Sequence, residues 1–216
     1  MDAKEIIARR VAQELRDRTL VNLGIGLPTL VARYVPAGMV VAFQSENGII
    51  GFGARPPEGM EDPNLTDAGG GFISAIPGAF AFDSAMSFAL IRGGHLAMTV
   101  LGGLQVDATG RLANWMVPGR MVAGMGGAMD LVAGAKRVVI AMQHAAKGES
   151  KIVPELTLPP TAARPVSLVV TDLAAIEPTA EGLVLRECAP GVTVEQILAA
   201  TTAPLILPDT IPEMRL

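Results

Sequence analysis

Met39-Val40-Val41-Ala42-Phe43-Gln44-Ser45-Glu46-Asn47-Gly48-Ile49-Ile50-Gly51 is an apolar run that stops on a carboxylate and a glycine. Residues 39–43 have the continuous apolar character of a buried strand. A lone glutamate where such a strand enters a turn is held on a rigid frame. It faces the strand end, where open α/β sheets place their ligands. Ser45 and Asn47 can hydrogen-bond and orient the carboxylate, and Gly48 permits close approach of a large ligand.

Upstream, Asp2 can cap a helix that carries Ile6, Ile7, Val11 and Leu15 on one face. Residues 20–23 form a short buried strand. Gly24-Ile25-Gly26-Leu27-Pro28 then turns into a helix running to about Val35, with Pro28 suited to its first turn. Downstream, residues 45–71 are rich in Gly and Pro and have no periodicity, which predicts a long functional loop. A helix over 83–91, a buried strand over 96–101 and a hairpin pairing 104–106 with 111–114 follow. A short helix over 129–133 precedes a strand over 137–142. Short strands then dominate, at 166–171, 173–177 and 183–187. Thr193-Val194-Glu195-Gln196 is a capping-box pattern that opens a last helix to about Ala200. The alternation predicts an α/β fold: an open, mostly parallel sheet flanked by helices, with a more β-rich C-terminal half. Without repeats or linker composition, one domain is expected over 1–216, ending in an irregular tail after about residue 203.

Composition narrows the function classes. Hydrophobic residues make up 50% of the 216 and charged residues 18%, which leaves little room for disorder. A net charge of −4 with no basic run argues against nucleic acid as a partner. One cysteine and two histidines are too few for a zinc site, so no metal is expected. The single cysteine also fits a reducing, cytoplasmic compartment. The start, Met1-Asp2-Ala3-Lys4-Glu5, has neither a signal peptide's apolar core nor a transit peptide's composition. No run of ~18 apolar residues is uninterrupted, so no membrane contact is expected. Low charge suggests instead an apolar surface covered by another subunit.

Several residues invite chemistry. Asn22-Leu23-Gly24-Ile25-Gly26 is a truncated dinucleotide fingerprint, and on residue type alone it is a tight strand-to-helix turn. The run Pro118 to Asp130 carries a Gly126-Gly127 pair before a helix, which aims backbone N–H groups outward, where they can stabilise an oxyanion. His95 reads as a satisfied structural group and Cys188 as core. Trp115 and the eleven methionines read as core and interface.

Taken together, these motifs resemble the β subunit of 3-oxoacid CoA-transferases, the group of succinyl-CoA:acetoacetate, acetate/butyrate–acetoacetate and 3-oxoadipate enzymes. The resemblance is carried by Asn22 to Pro28, Gln44 to Gly48, Phe82 to Ala85, Ile91 to His95, Val100 to Asp107, Ala113 to Gly119 and Gly124 to Asp130, in family order. It implies that Glu46 forms a covalent thioester with CoA, and that Gly127 and Ala128 supply backbone donors near the reacting carbonyl. Asn22, Gly24, Gly26, Ser45, Asn47, Gly48 and Gly126 are assigned to the CoA or substrate pocket. It further implies a sheet shared with sugar-phosphate isomerases and an α subunit as partner in an α2β2 heterotetramer. A homodimer of this chain alone is the other assembly open to it. Coenzyme A would be a substrate, with small carboxylic acids, and no cofactor would be bound permanently. The reaction would pass CoA from succinyl-CoA or acetyl-CoA to a 3-oxoacid such as acetoacetate. Carboxylate and thiolate nucleophiles need neither metal nor strong base, which suits a chain poor in His and Cys. An acyl-CoA hydrolase using the same glutamate and a non-catalytic ligand-binding module remain alternatives. One departure stands out: many relatives carry Asn-Ala-Gly-Lys where this chain has Asp67-Ala68-Gly69-Gly70, which leaves no cation there.

Overall fold

The computed structural model describes residues 1–119 and 126–216. Its first elements follow the hydrophobic pattern closely. Helix α1 (Ala3–Ala12) starts where the Asp2 carboxylate accepts the Glu5 N–H at 2.8 Å. It buries Ile7 and Val11, each such side chain contributing roughly 1.5–3 kcal/mol. Strand β1 (Thr19–Leu23) leads into a helical segment, Leu27–Tyr34, with Pro28 in its first turn. That segment is a 3-10 helix rather than an α-helix.

Strand β2 spans Val41–Ser45, two residues later than the apolar run suggests. Gln44 and Ser45 look like strand-ending polar residues, yet both are buried within the strand. The long loop expected over 45–71 is also interrupted. Strand β3 (Ile49–Phe52) folds straight back on β2, and β4 (Ala75–Ala81) pairs with β3. Helix α2 (Ser84–Arg92) begins at the predicted cap, with Asp83 accepting the Met86 N–H. Strands β5 (Met98–Leu101), β6 (Gln105–Asp107) and β7 (Leu112–Ala113), helix α3 (Ala128–Gly134) and β8 (Arg137–Ala141) follow. Three two-residue strands, β9 (Ala145–Ala146), β10 (Glu149–Ser150) and β11 (Ile152–Val153), are too short to leave a periodic signature. Then come β12 (Leu168–Val170), β13 (Ala174–Thr179), β14 (Gly182–Cys188) and helix α4 (Val194–Ala200), which opens with the complete capping box of Thr193 and Gln196. The tail, expected as coil, adds β15 (Leu205–Ile206) beside β14 and buries Met214.

Ten of these strands form one sheet in the order β15-β14-β13-β12-β8-β5-β1-β2-β3-β4. The centre, β12 to β2, is parallel, while the pairs β12–β13 and β13–β14 on one side and β2–β3 and β3–β4 on the other are antiparallel. Two apolar clusters cover its faces. One gathers α1 and the 3-10 helix through Ile7, Val11 and Val31; the other gathers α2, α3 and α4 through Ile91, Leu131 and Ile197. The chain passes from β1 outward to β2 and later returns to place β5 on the other side of β1. That reversal opens a crevice at the carboxyl ends of β1, β2 and β5, where open α/β sheets bind ligands.

Candidate active site at the carboxyl ends of the central strands

Glu46 is the first residue after β2 and stands partly buried at this crevice. Parallel pairing puts Asn22 of β1 opposite Gln44, two residues before Glu46. The Asn22 amide therefore reaches the Glu46 carboxylate, donating from Nδ2 to Oε2 at 3.1 Å. The same amide donates to the Gln44 side-chain oxygen at 2.9 Å and accepts from the Thr99 hydroxyl at 3.1 Å. Gln44 in turn donates to the Ser87 hydroxyl of α2 at 2.8 Å. Asn22, Gln44, Ser87 and Thr99 are all fully buried. A buried polar chain with its partners satisfied is rigid, so Glu46 is held at one oxygen by a fixed donor.

The glycine pair meets the glutamate from the other side. A Cβ placed on Gly127 would lie 3.4 Å from Glu46 Cγ and 3.3 Å from the Phe88 ring. Gly127 is the N-cap of α3, and Ala128 is the helix's first residue. Residues 120–125 of the run that leads into this turn lie outside the described residues.

Two cavities open at Glu46. One, of about 400 Å3, is walled by Gly24, Gly102, Gly103, Trp115, Gly126, Gly127 and Ala128. The other, of about 200 Å3, is lined by Gly26, Thr29, Ser45, Phe52, Asp67, Ala68, Gly69 and Gly71. Glu46 is thus at the junction of a wide glycine-walled channel and a small pocket.

An enzymatic reading of that junction agrees with the relatives of the sequence. A family model for coenzyme A transferase matches residues 4–200. The chain belongs to the coenzyme A transferase family. It is 54% identical, over all of its length and 97% of the relative's, to the beta subunit of the acetate CoA-transferase of Haemophilus influenzae. It is 50% identical to a succinyl-CoA:3-ketoacid coenzyme A transferase subunit of Helicobacter pylori, over 93% of this chain and 97% of that one. Among solved structures, the acyl-CoA transferase of Escherichia coli O157:H7 superposes with a TM-score of 0.78 at 22% identity. The match covers 99% of this chain and 43% of that one. The decarboxylase AibA/AibB shares the fold at a TM-score of 0.73 and 19% identity, so the fold alone does not fix the reaction.

Of the residues expected in the CoA or substrate pocket, Gly24, Gly26, Ser45 and Gly126 line the cavities at Glu46, and Asn22, Asn47 and Gly48 do not. Asn22 lies beneath Glu46 as a buried positioning amide and lines neither cavity. The side-chain hydrogen bonds of Ser45 and Asn47 go to the following loop and not to the Glu46 carboxylate. The Ser45 hydroxyl accepts the Ala68 N–H at 2.9 Å, and Asn47 donates to the Thr66 carbonyl at 2.7 Å, so both pin the following loop. Gly48 has φ +121°, and a Cβ there would stand 1.9 Å from the Phe82 carbonyl oxygen. The close approach it permits is by its own chain at the end of β4. Gly24 donates to the Val100 carbonyl at 2.8 Å, joining β1 to β5 below the wide cavity. Gly26, at φ +86°, is exposed on the edge of the small one. Gly126 lies exposed in the wide cavity's wall.

Cys188 is buried as expected, and burial pushes its thiol pKa up, away from reactivity. His95, in contrast, is exposed. The satisfied histidine is His144, buried between the hydroxyls of Thr171 and Thr201 at 2.9 and 2.8 Å. Trp115, expected as core or interface, lines the wide cavity while its indole N–H donates to the Pro160 carbonyl. Gln44, Thr99 and Ser87 escaped the sequence reading. The only signal for them was polarity inside otherwise apolar strands and helices. Among the described residues, no cluster of His, Cys, Asp or Glu is arranged to hold a metal, and no helix is long and apolar enough to cross a membrane.

Proposed function

We propose that this chain is the glutamate-bearing β subunit of a 3-oxoacid CoA-transferase working through a glutamyl-CoA thioester. The observation that carries this reading is the Glu46 carboxylate, fixed by a fully buried amide and packed on Gly127 where two cavities meet. Asn22 holds one carboxylate oxygen, and the other attacks the carbonyl of the donor acyl-CoA. The tetrahedral oxyanion collapses by expelling CoA thiolate, leaving an acyl–glutamyl anhydride. The thiolate then attacks the glutamyl carbonyl and releases the donor acid as its carboxylate. Glu46 now carries CoA as a thioester. The acceptor carboxylate attacks that thioester carbonyl, and the same two steps in reverse deliver acceptor acyl-CoA and free Glu46.

Each tetrahedral state carries a developing negative charge. The N–H groups of Gly127 and Ala128, at the amino end of α3, are the donors assigned to it. A single such donor is worth about 3 kcal/mol in the barrier. The wide cavity takes the CoA arm, and the small one takes the acid. The donors are succinyl-CoA or acetyl-CoA, and the acceptor is a 3-oxoacid such as acetoacetate. The relatives are named as single subunits, that of Haemophilus influenzae as a beta subunit, which supports an α subunit as partner, assembled as α2β2.

Kinetics of the αβ complex test the reading. Initial rates against both substrates should give the parallel double-reciprocal lines of a ping-pong reaction. Glu46→Gln should lower kcat by at least about a thousandfold, since it removes the nucleophile rather than a helper. Intersecting lines, or a Glu46→Gln enzyme with substantial activity, would exclude the covalent route. Fast release of free CoA without an acceptor would instead favour a hydrolase.

A further inference from the structure

The small cavity has an order along its length. At one end it shares Glu46 with the wide cavity. At the other it shares Thr29, Phe52 and Asp67 with an outer groove of about 530 Å3. An acid held by its reacting carbonyl at Glu46 therefore points its far end toward Asp67. The loop that closes this end, Asp67-Ala68-Gly69-Gly70-Gly71, carries one polar side chain, the Asp67 carboxylate. That carboxylate is fixed, because Oδ1 accepts the N–H groups of both Gly69 and Gly71 at 2.8 Å. The Gly71 carbonyl accepts the Asp67 N–H at 2.8 Å and closes the loop. Among the described residues lining the small cavity there is no lysine, arginine or histidine. Among the described residues, Arg33 and Arg55 line the outer groove beyond Asp67. Of these, Arg55 is turned toward Glu61 at 3.5 Å and the Phe72 ring.

We infer that Asp67 sets the acid specificity of this site, admitting short acids with an uncharged far end and rejecting acids that carry a second carboxylate. The inference rests on Glu46 being the residue that carries CoA. A second carboxylate on a four-carbon acid would end beside Asp67, where the described residues lining the small cavity include no cation to offset it. Like charges about 6 Å apart at an effective dielectric near 20 cost enough to lower kcat/KM by about ten- to a hundredfold. Specificity of this kind comes from a repulsive group against the wrong substrate rather than an added contact to the right one. An acetyl group leaves the far end empty, and an acetoacetyl group ends there in a methyl ketone. A succinyl group ends in a carboxylate. Of the two donors named above, the site is built for acetyl-CoA.

The test uses the αβ holoenzyme with acetyl-CoA as donor and two acceptors, succinate and its monomethyl ester, whose far ends differ mainly in charge. The wild-type enzyme should favour the monoester by at least about tenfold in kcat/KM. Asp67→Asn keeps the side-chain oxygen that Gly69 and Gly71 need and removes the charge. It should shrink that preference at least about fivefold, chiefly through a lower KM for succinate. Raising the ionic strength should shrink the wild-type preference as well, a readout that needs no variant. Equal use of the two acceptors by the wild type overturns the inference. So does a preference unmoved both by salt and by Asp67→Asn, in enzyme that still gains CoA on Glu46; the Glu46 chemistry then survives. If no acyl-CoA leaves CoA on Glu46, the reading beneath the inference fails and the inference with it.

Discussion

Glu46 is useful only because Asn22 and Gly127 are where they are. Asn22→Ala would remove the donor to Glu46 and leave the buried Gln44 and Thr99 side chains short of a partner. An unsatisfied buried polar group costs about 1–3 kcal/mol. A lower melting temperature is expected, with kcat down at least about tenfold and KM for acyl-CoA moved much less. Thermal melts and steady-state rates on the same preparation would check both. A rise in KM for acyl-CoA with kcat unchanged would assign Asn22 to the CoA pocket instead. The glutamate was legible in the sequence because a carboxylate after an apolar run is conspicuous within one short window. The Asn22 contact was not, because it depends on parallel register between strands 22 residues apart in the chain. The Gly126-Gly127 pair was legible as backbone donors before a helix, but Gly127 was not legible as Glu46's neighbour, for the same reason.

At the scale of single elements, the pattern was read well where one face is buried and badly where polarity was put to structural use. Helices α1, α2 and α4 begin at the residues whose side chains cap them. Strand β2 was placed too early because Gln44 and Ser45 are buried polar residues. Strands β3 and β4 were missed because Gly51 and Gly78, both at positive φ, and Pro77 interrupt their pattern. Gly48 makes the turn between β2 and β3 possible, so Gly48→Ala should destabilise the protein by about 2–4 kcal/mol, read as a lower urea midpoint. An unchanged midpoint would mean that the Phe82 carbonyl can move away at little cost.

His144 links the end of β12 to the end of α4. Its Nδ1 lies 2.9 Å from the Thr171 hydroxyl and its Nε2 2.8 Å from the Thr201 hydroxyl, so the neutral ring has a hydrogen-bond partner at each nitrogen. Burial lowers its pKa from 6.5 to about 4, against a smaller opposing pull from Asp172. The folded state therefore keeps the ring neutral while the unfolded chain takes up a proton below about pH 6.5. The stability His144 confers is complete above that pH and drains away as the pH falls toward 4, by roughly 3 kcal/mol in all. Melting temperatures at pH 7 and pH 5 should differ more in the wild type than in His144→Gln. Equal differences would remove His144 from the acid response.

For the whole molecule, the sheet's edge decides its behaviour outside its complex. Strand β4 closes the sheet with seven uncharged residues, and Phe80 is 66% exposed beside Phe82 at 5.9 Å between ring centroids. An exposed, uncharged edge strand pairs readily with other chains. The chain purified alone should self-associate, and Phe80→Lys should reduce that association in sedimentation velocity while leaving the melting temperature within about 1–2 °C. Sedimentation as a monomer at all concentrations would show that this edge is benign. The global architecture was legible: an open, mostly parallel sheet flanked by helices, with a more β-rich C-terminal half. The topological reversal at β1, which creates the crevice, was not, because no local window records which strands lie side by side.

The central claim is that Glu46 carries CoA during turnover. The most direct measurement is mass spectrometry of the αβ complex after brief incubation with acyl-CoA and no acceptor. Peptide mapping should find CoA joined to the side chain of Glu46, and adding an acceptor acid should remove it and release acyl-CoA. An active complex whose Glu46 peptide never gains CoA would contradict the account.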